Sequence, residues 1–171
     1  MVNMFVFVEG LDDERILKTV LSEKYYKIIK YAKEKKDYIN KYIKSIKSMS
    51  TCDYVVLCDI DTKTVSEKKA YIMSKFPECE DEKIMVSIAE IESWYLAGLD
   101  EENTKKMKIK YFCNTENVTK EKFNMLIPQN VNRINFMIDI LKKYDVDEAA
   151  FRNKSFNYFI SYYNNIIEMA V

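Results

Sequence analysis

Histidine is absent from the 171 residues. That absence removes Ser-His-Asp and Cys-His catalysis and every imidazole-based metal site. Any metal would be held by oxygen, so Mg²⁺, Mn²⁺ or Ca²⁺ is the expected type. Glycine and proline number 2 each, so loops are expected to be short or built from Asn, Asp and Ser. The 4 cysteines, Cys52, Cys58, Cys79 and Cys113, form no CxxC pair, which argues against zinc. Reduced thiols in a cytoplasm fit a chain with this much core better than a disulfide framework. The longest early apolar run is too short for a membrane span, and it ends in acids rather than in a small-residue cleavage site. No GxxxxGK[ST] loop occurs, so the chain carries no P-loop ATPase of its own. Lys+Arg and Asp+Glu are 27 each, which leaves no global nucleic-acid footprint, only room for a local one.

What is present is a globular composition. Hydrophobic residues make up 48% and charged residues 32%, enough for one domain with a real core. Apolar, β-prone runs at 3–8, 25–31 ("YYKIIKY"), 53–58 ("DYVVLC") and 83–88 ("KIMVSI") read as strands. Helical patterns lie between them at 12–21, 33–49 and 65–76, and a fourth follows at 90–99 with the only tryptophan, Trp94. Alternating strands and helices predict a parallel sheet of about four strands with helices on both faces. After about Asp100 only helical patterns remain, at 119–126, 131–144 and 155–169. The expected organisation is an α/β core over 1–100 and a helical C-terminal extension over 101–171, packed on the same domain.

The acids follow the strands. Glu9 ends the first, within "FVFVEGLDDE", and Asp59 and Asp61 end the third. Glu90 and Glu92 follow the fourth, and Asp13 lies in the first turn of the first helix. Open parallel sheets bind ligands beyond the carboxyl ends of their strands. If strands 1 and 3 are neighbours, these carboxylates converge on one edge. Converged carboxylates repel each other, and a divalent cation removes that cost. Residues two apart on a strand point the same way, which suits Asp59 and Asp61 to one ion. Each acid also has a plainer use. Asp12 and Asp13 suit a helix cap, Asp59 and Asp61 a turn, and Glu90 and Glu92 a first helical turn.

The segments "VEGLDDE" (Val8 to Glu14) and "VVLCDID" (Val55 to Asp61), with the βαβαβ spacing between them, resemble a TOPRIM domain. This is the catalytic fold shared by topoisomerases, primases and OLD-family nucleases. "AEIESWYLAG" (Ala89 to Gly98) and "RNKSFNYFI" (Arg152 to Ile160) resemble segments of small stand-alone TOPRIM proteins akin to OLD and RloB proteins of phage defence. The resemblance implies a Rossmann-like TOPRIM fold and a Mg²⁺- or Mn²⁺-dependent nuclease. It implies Glu9 as a catalytic residue and metal ligand, Asp13 as a second acid, and Asp59 and Asp61 as the metal-binding Asp-x-Asp. Glu92, or alternatively Glu90, would help build a second metal site, and Lys154 would stand near the scissile phosphate. Nucleic acid, DNA in preference to RNA, is the implied partner, and an ATPase would be a separate chain. A competing reading is a catalytically weak or inactive TOPRIM-like subunit that binds a partner ATPase or other protein. A third is a nucleotide-binding protein of flavodoxin-like topology, which "EGLDDE" suits poorly, since its carboxylates would repel a phosphate.

Overall fold

A computed structural model describes residues 4–170, so the strand start expected at Asn3 lies outside them. The chain divides into two compact units, residues 1–87 with 161–171, and residues 88–160. The fold is α/β with a four-stranded parallel sheet followed by a helical C-terminal region.

In the first unit, β1 (Met4–Val8), β2 (Tyr26–Lys30), β3 (Asp53–Asp59) and β4 (Ile84–Ser87) form a sheet of order β2-β1-β3-β4. All three pairings are parallel, and β1 is flanked by β2 and β3. The crossovers are α1 (Leu11–Val20), α2 (Lys36–Lys47) and α3 (Val65–Lys75), with a short 3₁₀ turn, η1 (Asp81–Lys83), before β4. One sheet face, with Phe7, Tyr54, Val56 and Cys58, is buried under Ile39, Ile43 and Ile46 of α2 and Ile72 of α3. Residues that alternate to the other face, among them Val6, Val8, Val55 and Leu57, are buried as well. Strands covered on both faces must be continuous apolar runs, which explains why these were legible as sequence. Each fully buried isoleucine of α2 contributes about 1.5–3 kcal/mol. That stripe, and not the lysine-rich outer surface of the helix, fixes α2 on the sheet. No helix among the described residues is long and apolar enough to cross a membrane.

The second unit holds α4 (Glu92–Ala97), α5 (Glu101–Met107), α6 (Lys120–Met125), α7 (Arg133–Leu141), α8 (Val146–Arg152) and the first turns of α9 (Lys154–Ala170). All six residues of α4 are buried, and it packs against α6, α7 and α8. The first boundary therefore falls at 87/88 rather than near 100: α4 follows the last strand in sequence but belongs with the later helices. Trp94 sits between Phe156 and Phe159, with both ring centroids 5.3 Å away.

Candidate functional site

The neighbour relation that convergence required is present, since β1 pairs directly with β3. Glu9 leaves the end of β1 on the same side as Phe7. The register that sets Val8 opposite Lys30 brings Tyr31 beside it, and the Tyr31 hydroxyl donates to Glu9 Oε1 at 3.0 Å. Burial, and next the Glu9 charge, push the Tyr31 hydroxyl far above its ordinary pKa, so it stays a donor.

Asp61 reaches the same place by a turn and not by strand alternation. β3 ends at Asp59, and Asp61 adopts a left-handed φ of 53°. The expectation that Asp59 and Asp61 share a direction two residues apart is therefore corrected. Asp59 alternates with Cys58 and shares a face with Leu57 and Val55, while Asp61 is redirected by its own backbone. Aspartate tolerates this conformation better than most residues.

The residue that joins Glu9 and Asp61 is Lys68 of α3. Its Nζ donates to Asp61 Oδ2 at 2.5 Å and to Glu9 Oε1 at 3.4 Å. The lysine side chain is 3% exposed, against 37% for Glu9 and 52% for Asp61. Burial pulls the Lys68 ammonium pKa down. The hydrogen bond to Asp61 and the Glu9 charge more than offset this, so the net shift is upward. Below this group, burial pushes the Cys58 thiol up to about 12, opposed by Lys68 and reinforced by Glu9, Asp59 and Asp61.

Asp13 lies on the other flank of Glu9, buried at the start of α1, with Oδ2 accepting from Gly10 N–H at 2.8 Å. This is one half of a helix cap. Burial raises its pKa to about 7, against the Gly10 hydrogen bond and with added push from Glu9. Asp12 pairs with Arg15 at 2.6 Å. Glu14 pairs with Lys18 at 2.9 Å and with Lys30.

The remaining predicted residues belong to the second unit. Glu90 accepts from the backbone N–H of Lys120, at the start of α6. Glu92 is buried against Arg133 Nη2 at 2.5 Å. Burial raises the Glu92 pKa and Arg133 restrains the rise. Lys154 is exposed, and its backbone N–H donates to Glu116. The segments around Trp94 and Asn153 meet each other through buried polar contacts. Trp94 Nε1 donates to Ser155 Oγ at 2.9 Å, and Asn153 Nδ2 donates to Ser93 and Thr115. Arg152, also buried, donates to the carbonyls of Ala97, Leu99 and Phe112. These contacts satisfy helix ends and loop carbonyls that would otherwise be buried without partners.

Mg²⁺ and Mn²⁺ take hard oxygen ligands, and Glu9 and Asp61 supply that chemistry. Among the described residues, however, no three Asp, Glu or Cys side chains are grouped to hold one ion. As placed, the acids do not form a metal cage, and the cation facing Glu9 and Asp61 is an ammonium. Sequence reasoning missed Lys68 and Tyr31. A signal for Lys68 was there: Lys68, Ile72 and Phe76 recur every four residues, so the lysine occupies a core position. Tyr31 was visible only through the β1–β2 register.

Fold and edge define the class: an α/β protein with a carboxylate pair at the carboxyl ends of two adjacent parallel strands. Set against family models, curated proteins and solved structures, the chain matches none.

Proposed function

We propose that the chain is a Mg²⁺- or Mn²⁺-dependent nuclease of TOPRIM type, acting on nucleic-acid phosphodiesters at the edge that carries Glu9, Asp59 and Asp61. DNA in preference to RNA is the substrate, and phage defence or DNA repair the setting. The observation that carries this reading is the adjacency of β1 and β3, which brings Glu9 and Asp61 to one cation. Carboxylates held this close attract positive charge strongly. Tyr31 fixes the Glu9 carboxylate in place, and the left-handed turn at Asp61 leaves its side chain about half open to solvent.

A second reading draws on Lys68. A buried ammonium that already neutralises the edge suits a TOPRIM-like subunit that binds a partner ATPase or other protein and does no chemistry. Calorimetry with Mn²⁺ and Mg²⁺, on wild type and on an Asp59→Asn/Asp61→Asn variant, separates the two. Binding by wild type that vanishes in the variant, followed by metal-dependent cleavage of DNA or RNA, supports the nuclease. A folded wild type that binds no metal and cleaves nothing supports the subunit.

A further inference from the structure

The neutral chain carries one strongly basic element. Residues 33–47 hold six lysines and two acids, Glu34 and Asp37. Lys47 is paired with Glu80. Lys27, Lys35, Lys36, Lys41 and Lys44 are exposed, and among the described residues none has an acid within ion-pair distance. A surface of unpaired like charges repels itself and attracts phosphate. An aromatic pair lies on the same helix. Tyr42 packs edge-on against Phe5 and Phe7, with ring centroids 5.7 and 6.0 Å away. Tyr38, one turn earlier, stacks on Tyr42 at 6.0 Å with 21° between the planes, and 53% of it is exposed. Tyr42 is thereby tied to the sheet, and Tyr38 is held by its stack while more than half of it stays open to solvent.

Lysines bracket this stack. Lys35 and Lys41 stand three residues to either side of Tyr38, on its flank of the helix. From the sheet, the β1–β2 register sets Lys27 opposite Phe5, so it shares the face on which Phe5 meets Tyr42. A lysine on an edge strand also discourages pairing with other chains, which explains Lys27 but not an exposed tyrosine held in a stack between lysines. An aromatic face for a base, with ammonium groups for the phosphates beside it, is the recognition chemistry of single-stranded nucleic acid. A duplex offers phosphates but no free base face. We infer that the Tyr38 flank of α2, with Lys27, Lys35 and Lys41, binds single-stranded nucleic acid, Tyr38 stacking on a base and the lysines holding the adjoining phosphates. This goes beyond the nuclease reading: the surface lies on a helix and not at the strand ends, and binding there needs neither metal nor cleavage.

The test is fluorescence anisotropy of a labelled oligothymidylate of about 12 nucleotides, in EDTA, with a duplex of equal length beside it. Wild type should bind the single strand more tightly than the duplex. Tyr38→Ala should weaken binding roughly 5- to 150-fold, the worth of one base stacked on one ring, and Tyr38→Phe should keep it. Lys35→Gln/Lys41→Gln should weaken binding and flatten the slope of log affinity against log salt by about 0.7 for each lysine lost. Lys105→Gln/Lys106→Gln, in the second unit, should change nothing. All of these side chains are exposed, so the variants keep the fold. No binding by wild type at low salt, or equal binding by Tyr38→Ala, overturns the inference. Binding to anionic lipid vesicles in place of the oligonucleotide overturns it too. Single-strand binding that needs Tyr38, with no metal-dependent cleavage, leaves it standing and removes the nuclease reading. Metal-dependent cleavage with Tyr38→Ala binding as wild type does the reverse.

Discussion

Asp13 is the residue whose environment departs most from its sequence appearance. An acid in the first turn of a helix usually stays ionised, yet burial holds this one near pKa 7 against an ordinary 3.8. The folded chain therefore keeps a proton between pH 3.8 and about 7 that the unfolded chain has lost. A raised carboxyl pKa makes stability fall as pH rises through that window, by at most about 1.4 kcal/mol per pH unit. In metal-free buffer, urea unfolding of wild type should show this decline. Asp13→Asn should flatten the profile and be the more stable protein above pH 7, because its amide oxygen still accepts from Gly10 N–H. An unchanged slope would show that Asp13 is ionised in the fold. The same residue marks what the sequence made legible at the edge. Glu9, Asp59 and Asp61 were readable because strand ends are punctuated by acids after apolar runs. Lys68 was not, because a lysine in a helix is read as solvated unless its neighbours at i+4 and i+8 are weighed as core.

At the scale of elements, the strands and their helices were legible because each buries an apolar face. Two short helices were not. In α5, "EENTKKM", only Thr104 is buried, and the helix rests on its Asp100 cap and the pairs Glu101–Lys105 and Glu102–Lys106. In α8, capped by Asp145, Phe151 is 87% exposed and breaks the apolar period. Glycine is also used unexpectedly. Among the described residues, the left-handed positions are Asp61, Ala89 and Lys108, and neither glycine has positive φ. Gly98 is needed for space instead: a Cβ there would lie closer than 3.0 Å to the Tyr144 ring. That ring is anchored by its hydroxyl, which donates to the Trp94 carbonyl at 2.8 Å, so it has little room to move. Gly98→Ala should cost about 1–3 kcal/mol, as overpacking does. Thermal unfolding measures this, and a melting temperature equal to wild type would mean the ring yields freely.

For the whole molecule, the cysteines offer a check on the packing of both units at once. Cys113 is exposed, Cys52 half-buried, and Cys58 and Cys79 buried. Burial also raises the Cys58 and Cys79 thiol pKa values, to about 12 and about 11, which lowers their thiolate fraction. A thiol reagent should therefore modify Cys113 first and Cys52 more slowly, with Cys58 and Cys79 reacting only on unfolding. Rapid modification of Cys58 in the native protein would contradict the packing of α2 and α3 over the sheet.

The return of residues 161–170 to the first unit bears on the order in which the protein is made. The Tyr163 hydroxyl accepts from Ser22 N–H at 3.1 Å. The Tyr162 hydroxyl accepts from Lys83 at 2.7 Å and donates to Asp53 at 3.0 Å. On the ribosome, the four strands emerge before either tyrosine exists, and all of residues 88–160 must be translated in between. The unit that is begun first is thus finished last. During synthesis the sheet waits with Ser22, Asp53 and Lys83 still lacking their tyrosine partners.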